Sequence, residues 1–225
     1  MSNPKEETGG PAVRAPWVIP IAALSLVAVT AGFALALWRA VPPPALEIGH
    51  TGTVLRVPLP VSDFALTDHE GRRFDGARLE GQWSFLFFGY TSCPAVCPMT
   101  LGNFSDVRKL ISGAPGADAG TPVQFVFVSV DPERDSPERL GTFVPYFHED
   151  FIGATGSPEA LQPLTEVLGI YHAKVAGESE RDYLVDHTTS VMLIDPERRL
   201  HAIFPAPHDP GAVAAAFEKI RKHGE

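Results

Sequence analysis

Cysteine is nearly absent: Cys93 and Cys97 are the only two in 225 residues. Two thiols are too few for a structural zinc site of the four-cysteine or three-cysteine kind. They are also too few for the bridge-dense scaffold of a small secreted domain. No basic run and no basic–aromatic interleaving occurs, and the formal net charge is -9, which argues against nucleic acid as a partner. The acidity itself suits solubility and identifies no partner. No internal repeat is visible. One close thiol pair is left, and the question is whether it is structural, redox-active or metal-binding.

A second absence is charge between Ala15 and Trp38. An apolar run of roughly 20 residues is long enough to cross a bilayer. Trp17 and Trp38 stand at its ends, where indoles favour the interface, and Arg14 and Arg39 bracket it. The apolar core of a cleaved signal peptide is only about 7–15 residues. The longer run here predicts an uncleaved anchor over 15–39, with a cytoplasmic tail at 1–14. Glu6 and Glu7 argue against a mitochondrial transit peptide. Val41-Pro42-Pro43-Pro44 reads as a stiff spacer. The Pro-rich linker is expected over 40–58, and one folded domain over 59–225.

Within that domain the pattern alternates between strands and helices. Phe64–Thr67 and Arg72–Phe74 flank Asp68-His69-Glu70-Gly71, a hairpin signal. Trp83–Phe88 and Val123–Val130 read as buried strands, with a helix from Pro98 to about Ser112 between them. Ser136-Pro137 and Ser157-Pro158 each read as a helix start, with serine as cap and proline in the first turn. Val191–Ile194 and Leu200–Phe204 form a second hairpin signal, and Asp209-Pro210 opens a helix to about Lys222. This order predicts an α/β, thioredoxin-like fold with an extra N-terminal β-hairpin, preceded by one transmembrane helix.

The strand-to-helix turn carries Cys93-Pro94-Ala95-Val96-Cys97-Pro98. A helix N-terminus offers free N–H groups and a positive dipole end, which favour thiolate. Thiolate is both a nucleophile and a soft ligand. Helical residues four apart have Cβ atoms about 5–6 Å apart, against about 3.5–4.5 Å in a relaxed disulfide. The spacing suits two sulfurs clasping a metal ion, although an irregular first turn would also allow a bridge. Two thiolates select Cu(I) among the abundant ions, and one added imidazole makes a site acceptable to Cu(II).

Of eight histidines, His187 in Asp182-Tyr183-Leu184-Val185-Asp186-His187-Thr188 stands out. It precedes the strand Val191–Ile194, and the loop entering that strand faces the dithiol in a thioredoxin-like fold. By position alone a structural histidine and a ligand are equal readings. His172 is the weaker candidate. The loop at Asp186–Thr189 lacks the proline usual there in thiol oxidoreductases, which moves weight from exchange catalysis to metal binding. Asp131 and Asp135 read as strand-end and helix-cap residues. Asp186 is either an orienting partner of His187 or a solvated loop residue. The polar segment from Ala176 to Asp182 reads as a mobile loop.

Three segments together resemble the Sco/SenC family, the membrane-anchored copper proteins of cytochrome oxidase assembly. They are Phe88-Gly89-Tyr90-Thr91-Ser92-Cys93-Pro94-Ala95-Val96-Cys97-Pro98, Ser129-Val130-Asp131-Pro132-Glu133-Arg134-Asp135-Ser136-Pro137, and Asp182-Tyr183-Leu184-Val185-Asp186-His187-Thr188. The resemblance implies copper as Cu(I) or Cu(II), with Cys93, Cys97 and His187 as ligands. It implies a metallochaperone that delivers copper to the dinuclear copper site of cytochrome c oxidase subunit II. A periplasmic copper donor protein would supply it, and the anchor would lie in the bacterial inner membrane with the domain in the periplasm. The alternative is a thiol-disulfide reductase, with Cys93 and Cys97 as its redox pair, that keeps the oxidase cysteines reduced. Ala95 departs from the family pattern, where an Asp between the cysteines is common; affinity and redox tuning depend on that change.

Overall fold

The apolar run after Gln82 forms strand β4 (Trp83–Gly89), and every residue of it is buried. Strand side chains alternate between faces. Both faces of β4 are covered, so its sequence shows unbroken hydrophobicity instead of alternation. Phe85 and Phe87 enter one core with Phe104, Phe125, Phe127 and Phe217. Leu86 and Phe88 enter a second core with Val126, Val128, Leu161, Leu164 and Met192. The computed structural model describes residues 24, 29–36, 48–113, 121–179 and 182–224.

The remaining strands are β1 (Thr53–Pro60), β2 (Ala65–Asp68), β3 (Arg73–Asp75), β5 (Val123–Ser129), β6 (Ile152–Thr155), β7 (His172–Ser179), β8 (Asp182–His187), β9 (Val191–Ile194) and β10 (Arg199–Phe204). The helices are α1 (Val96–Ser112), α2 (Pro137–Phe143), α3 (Pro158–Val167) and α4 (Pro210–Gly224). Eight strands form one sheet in the order β1-β10-β9-β4-β5-β6-β2-β3, and β7 and β8 pair separately. β4 and β5 are parallel, as β4–α1–β5 requires, while β9 runs antiparallel to both β4 and β10. This is the expected thioredoxin-like order. The N-terminal hairpin is also present as the antiparallel pair β2–β3. Apolar residues of α1 and α4 fill the first core, and those of α3 the second.

The serine-proline starts behave as capping chemistry dictates. Ser136 accepts the N–H of Arg139 at 3.3 Å, and Ser157 accepts that of Ala160 at 3.3 Å. Proline occupies the first turn of both helices, where its missing N–H costs nothing.

The chain divides into two units, Met1–Pro44 and Ala45–Glu225. In the first, residues 29–36 are helical. Among the described residues no helix is long and apolar enough to cross a membrane. Most of the expected anchor at 15–39, and all of the tail at 1–14, lie outside the described residues.

Two expectations are corrected. The linker does not extend to 58: Ile48 is buried in the first core, and β1 pairs antiparallel with β10. The sequence disguised this strand with Pro58 and Pro60 at a sheet edge, where proline is tolerated. The segment from Ala176 to Asp182 is not a free loop either. β7 continues to Ser179, which pairs with Asp182 at the start of β8.

A chain begun at residue 59 would lose β1 and the burial of Ile48. It is expected to be at least about 2 kcal/mol less stable than one begun at residue 45, the loss of one buried isoleucine alone. Equal denaturant midpoints for the two chains would contradict this.

Candidate metal centre

Strand β4 ends at Gly89, and α1 begins at Val96, two residues before the expected start. Cys93 therefore lies in the intervening turn and not on the helix. Its N–H donates to the Tyr90 carbonyl at 3.2 Å, and its Sγ accepts the N–H of Cys97 at 3.4 Å. Cys97 sits in the first helical turn and is fully buried. Both cysteines are free thiols.

Their environments separate the two thiols. A hydrogen bond from the Cys97 thiol, opposed by burial and reinforced by His187, holds Cys93 well below the ordinary thiol range. The same bond and burial push Cys97 up. The two thiols are coupled, and their shifts run in opposite directions, favouring thiolate at Cys93 over Cys97.

Gly89 makes room for this arrangement. A Cβ there would stand 2.6 Å from Cys97 Sγ and 2.9 Å from the Phe127 ring. Only a glycine lets the sulfur lie against the end of the strand.

His187 is the last residue of β8, and its Nε2 lies 3.5 Å from Cys97 Sγ. Its Nδ1 lies 3.0 Å from the Thr188 carbonyl, which can only accept. In the neutral ring Nδ1 therefore carries the proton, and Nε2 turns a lone pair toward the sulfurs. The rings of Phe87 and Tyr90 meet the imidazole edge-on, at 6.0 and 5.9 Å between centroids. Burial disfavours charge on His187, but the Cys93 thiolate and the Thr188 carbonyl outweigh it and raise the pKa. A bound cation would take the place of that proton. Asp186 is exposed and is not the orienting partner.

The ligand atoms of Cys93, Cys97 and His187 all lie within 4.8 Å of one another. Three bonds of about 2.0–2.3 Å to a central ion separate the donors by about 3.5–4 Å. A side-chain adjustment would bring the cluster from within 4.8 Å to that spacing. Two sulfurs and one imidazole are a soft donor set that fits copper chemistry.

A brace behind the site joins its two halves. Asp135, 1% exposed, accepts the Thr91 N–H at 2.8 Å, the Thr91 hydroxyl at 2.5 Å and the Ser129 hydroxyl at 2.6 Å. It thereby fixes the turn that carries Cys93. Asp131, also 1% exposed, accepts the Tyr183 hydroxyl at 2.7 Å and Arg134 Nε at 2.5 Å. Arg134 then donates to the Tyr183 carbonyl at 2.9 Å and stacks 3.7 Å over its ring. Burial and the bond to Asp131 push the Tyr183 phenol up to about 12, so it remains a donor. Ser136 caps α2 as expected, but Asp135 is not a cap residue: it faces the cysteine turn. The sequence placed Asp131, Asp135 and Tyr183 in the family segments without showing that they meet. Elsewhere, His201 packs edge-on against Trp83 at 5.3 Å, and His208 donates from buried Nε2 to the Phe204 carbonyl at 3.1 Å.

Two outcomes follow from this geometry. Gly89→Ala is expected to cost about 1–3 kcal/mol as an overpacked site and to displace Cys97 Sγ. Thermal melting and thiol reactivity would check it, and wild-type values in both would contradict the steric argument. Tyr183→Phe removes a hydrogen bond to a carboxylate worth about 1.5–3 kcal/mol. Amide exchange should accelerate over Tyr183–His187 more than over β4 and β5; an equal acceleration in all three strands would contradict the brace.

Comparison with known proteins is consistent with this geometry. The family model described as SCO1/SenC matches residues 57–222. The chain is 36% identical over 135 residues to the mitochondrial SCO2 homolog of Homo sapiens, covering 60% of this chain and 50% of that protein. It is 36% identical over 161 residues to the mitochondrial SCO1 homolog 1 of Arabidopsis thaliana, covering 71% and 47%. The chain thus spans about half the length of these relatives. Arabidopsis thaliana ScoI with copper bound superposes with a TM-score of 0.66 at 33% identity, over 72% of this chain and 98% of that one. Bradyrhizobium japonicum ScoI with copper bound gives 0.63 at 32% identity, over 72% and 99%. With its thiol motif, its sheet order and the matched span in agreement, the chain belongs to the SCO1/SenC family.

Proposed function

We propose that the protein is a copper metallochaperone that holds the ion through Cys93, Cys97 and His187. The carrying observation is the approach of Nε2 to Cys97 Sγ at 3.5 Å, with all three donors within 4.8 Å. Copper-bound ScoI of Arabidopsis thaliana and Bradyrhizobium japonicum supports the choice of metal. The finer reading is delivery to the dinuclear copper site of cytochrome c oxidase subunit II, after uptake from a periplasmic donor protein. The charge-free run from Ala15 to Trp38 supports anchoring in the bacterial inner membrane with the folded unit in the periplasm. Cys93 and His187 are half-buried whereas Cys97 is fully covered, so an incoming ligand reaches the ion from the Cys93–His187 side.

A second reading, reduction of the oxidase cysteines, is favoured by the depressed Cys93 thiol and its free partner. Thiolate at Cys93 is the attacking species in exchange. The two readings differ in their need for the imidazole.

Anaerobic copper titration of the full chain separates them. Wild type is expected to take up a single tightly held copper, and His187→Ala to lose the tight site. If His187→Ala retains the wild-type stoichiometry and spectrum, the imidazole is no ligand. If it also reduces a subunit II fragment at the wild-type rate, the reductase reading stands in place of the chaperone.

A further inference from the structure

The β7–β8 register places His172 directly opposite His187. Opposed residues of an antiparallel pair project from one face, with Cβ atoms about 4.5–5.5 Å apart. Neighbouring contacts fix which face this is. On β8, Tyr183 and Val185 are buried while Leu184 is 51% exposed. On β7, the Lys174 ammonium lies 4.8 Å over the Tyr183 ring, so Lys174 is on the buried face. His172 is two residues from Lys174 and shares its side of the strand. That is the face from which His187 meets the sulfurs.

His172 is half-buried beside Tyr171, which is 63% exposed. Its ring nitrogens have no hydrogen-bond or ion-pair partner among the described residues. A half-buried imidazole without a partner, across the ladder from a candidate ligand, is a donor in reserve.

The chemistry of copper supplies its use. Three donors satisfy a soft monovalent ion, but Cu(II) prefers a tetragonal site with nitrogen or oxygen donors. The three-donor cluster contains no carboxylate, and Ala95, between the cysteines, has no donor atom in its side chain. A fourth donor must come from another element or from water. His172 stands outside the tight cluster as the ring is now placed, and side-chain rotation is the motion that would bring it in.

We propose that His172 is a fourth ligand of the Cu(II) form, recruited by rotation of its side chain and released in the Cu(I) form. The inference rests on the copper reading above. It makes the site change from three protein donors to four with the charge of the ion. Release of His172 on the Cu(I) side leaves an open position for a receiving ligand.

The test is pulsed electron paramagnetic resonance of the full chain with one equivalent of Cu(II), which counts coordinated imidazoles. Wild type should show two, and both His172→Ala and His172→Gln should show one. Cu(II) affinity should fall at least about tenfold, the scale on which partners of metal sites act. Cu(I) affinity, measured by chelator competition, should be unchanged. One imidazole in the wild type, with water as the fourth donor, overturns the proposal. So does a two-imidazole spectrum that neither His172 variant alters. Both results leave the three-donor site standing, whereas a wild type that takes up no copper overturns the function itself and this inference with it.

Discussion

Two buried carboxylates hold the site together. Cys97 and His187 lie 90 residues apart in sequence, and local structure alone cannot bring them within bonding reach of one ion. The segment after β5 does so by gripping both partners: Asp135 takes the N–H and hydroxyl of Thr91, and Asp131 takes the hydroxyl of Tyr183. Each carboxylate is removed from water, so an unpaired one would be costly. Their bonds are charge-assisted and correspondingly strong. The cysteine turn and the histidine hairpin are therefore positioned against one short stretch of chain.

The arrangement divides labour between the donors. Cys97 is locked under the helix start, against the Cβ-free edge of Gly89. Cys93 is the thiol whose environment favours the thiolate, and it stays partly accessible. His187 presents a lone pair because its other nitrogen is committed to the Thr188 carbonyl. A buried sulfur, a more accessible one and an oriented imidazole suit the proposed holding and release of an ion, with the half-buried Cys93–His187 side as the route for a receiving ligand.

Much of this was legible in the sequence because it rests on local signals. The β4 run, the serine-proline caps and the hairpin at Asp195–Arg199 are each short patterns with one physical solution. The pairing of the thiols with a late histidine was legible only through resemblance of whole segments. What was not legible depends on distant partners. β1 is masked by prolines that a sheet edge tolerates, and β6, Ile152–Thr155, is four residues long and contains a glycine. β7 pairs only with β8, outside the main sheet, and its polar sequence, His172-Ala173-Lys174-Val175-Ala176-Gly177-Glu178-Ser179, gives no strand signal. Asp131 and Asp135 look like turn and cap residues, since nothing local tells which neighbour a carboxylate will face. The start of α1 at Val96 moved Cys93 off the helix, so reasoning from helical spacing described the wrong geometry for the pair.

In the proposed site two sulfurs and one imidazole meet at a single soft ion. X-ray absorption at the copper edge of the Cu(I)-loaded chain measures that most directly. The expected first shell is two sulfurs and one nitrogen. A shell containing only nitrogen and oxygen, or one without any imidazole contribution, would contradict it.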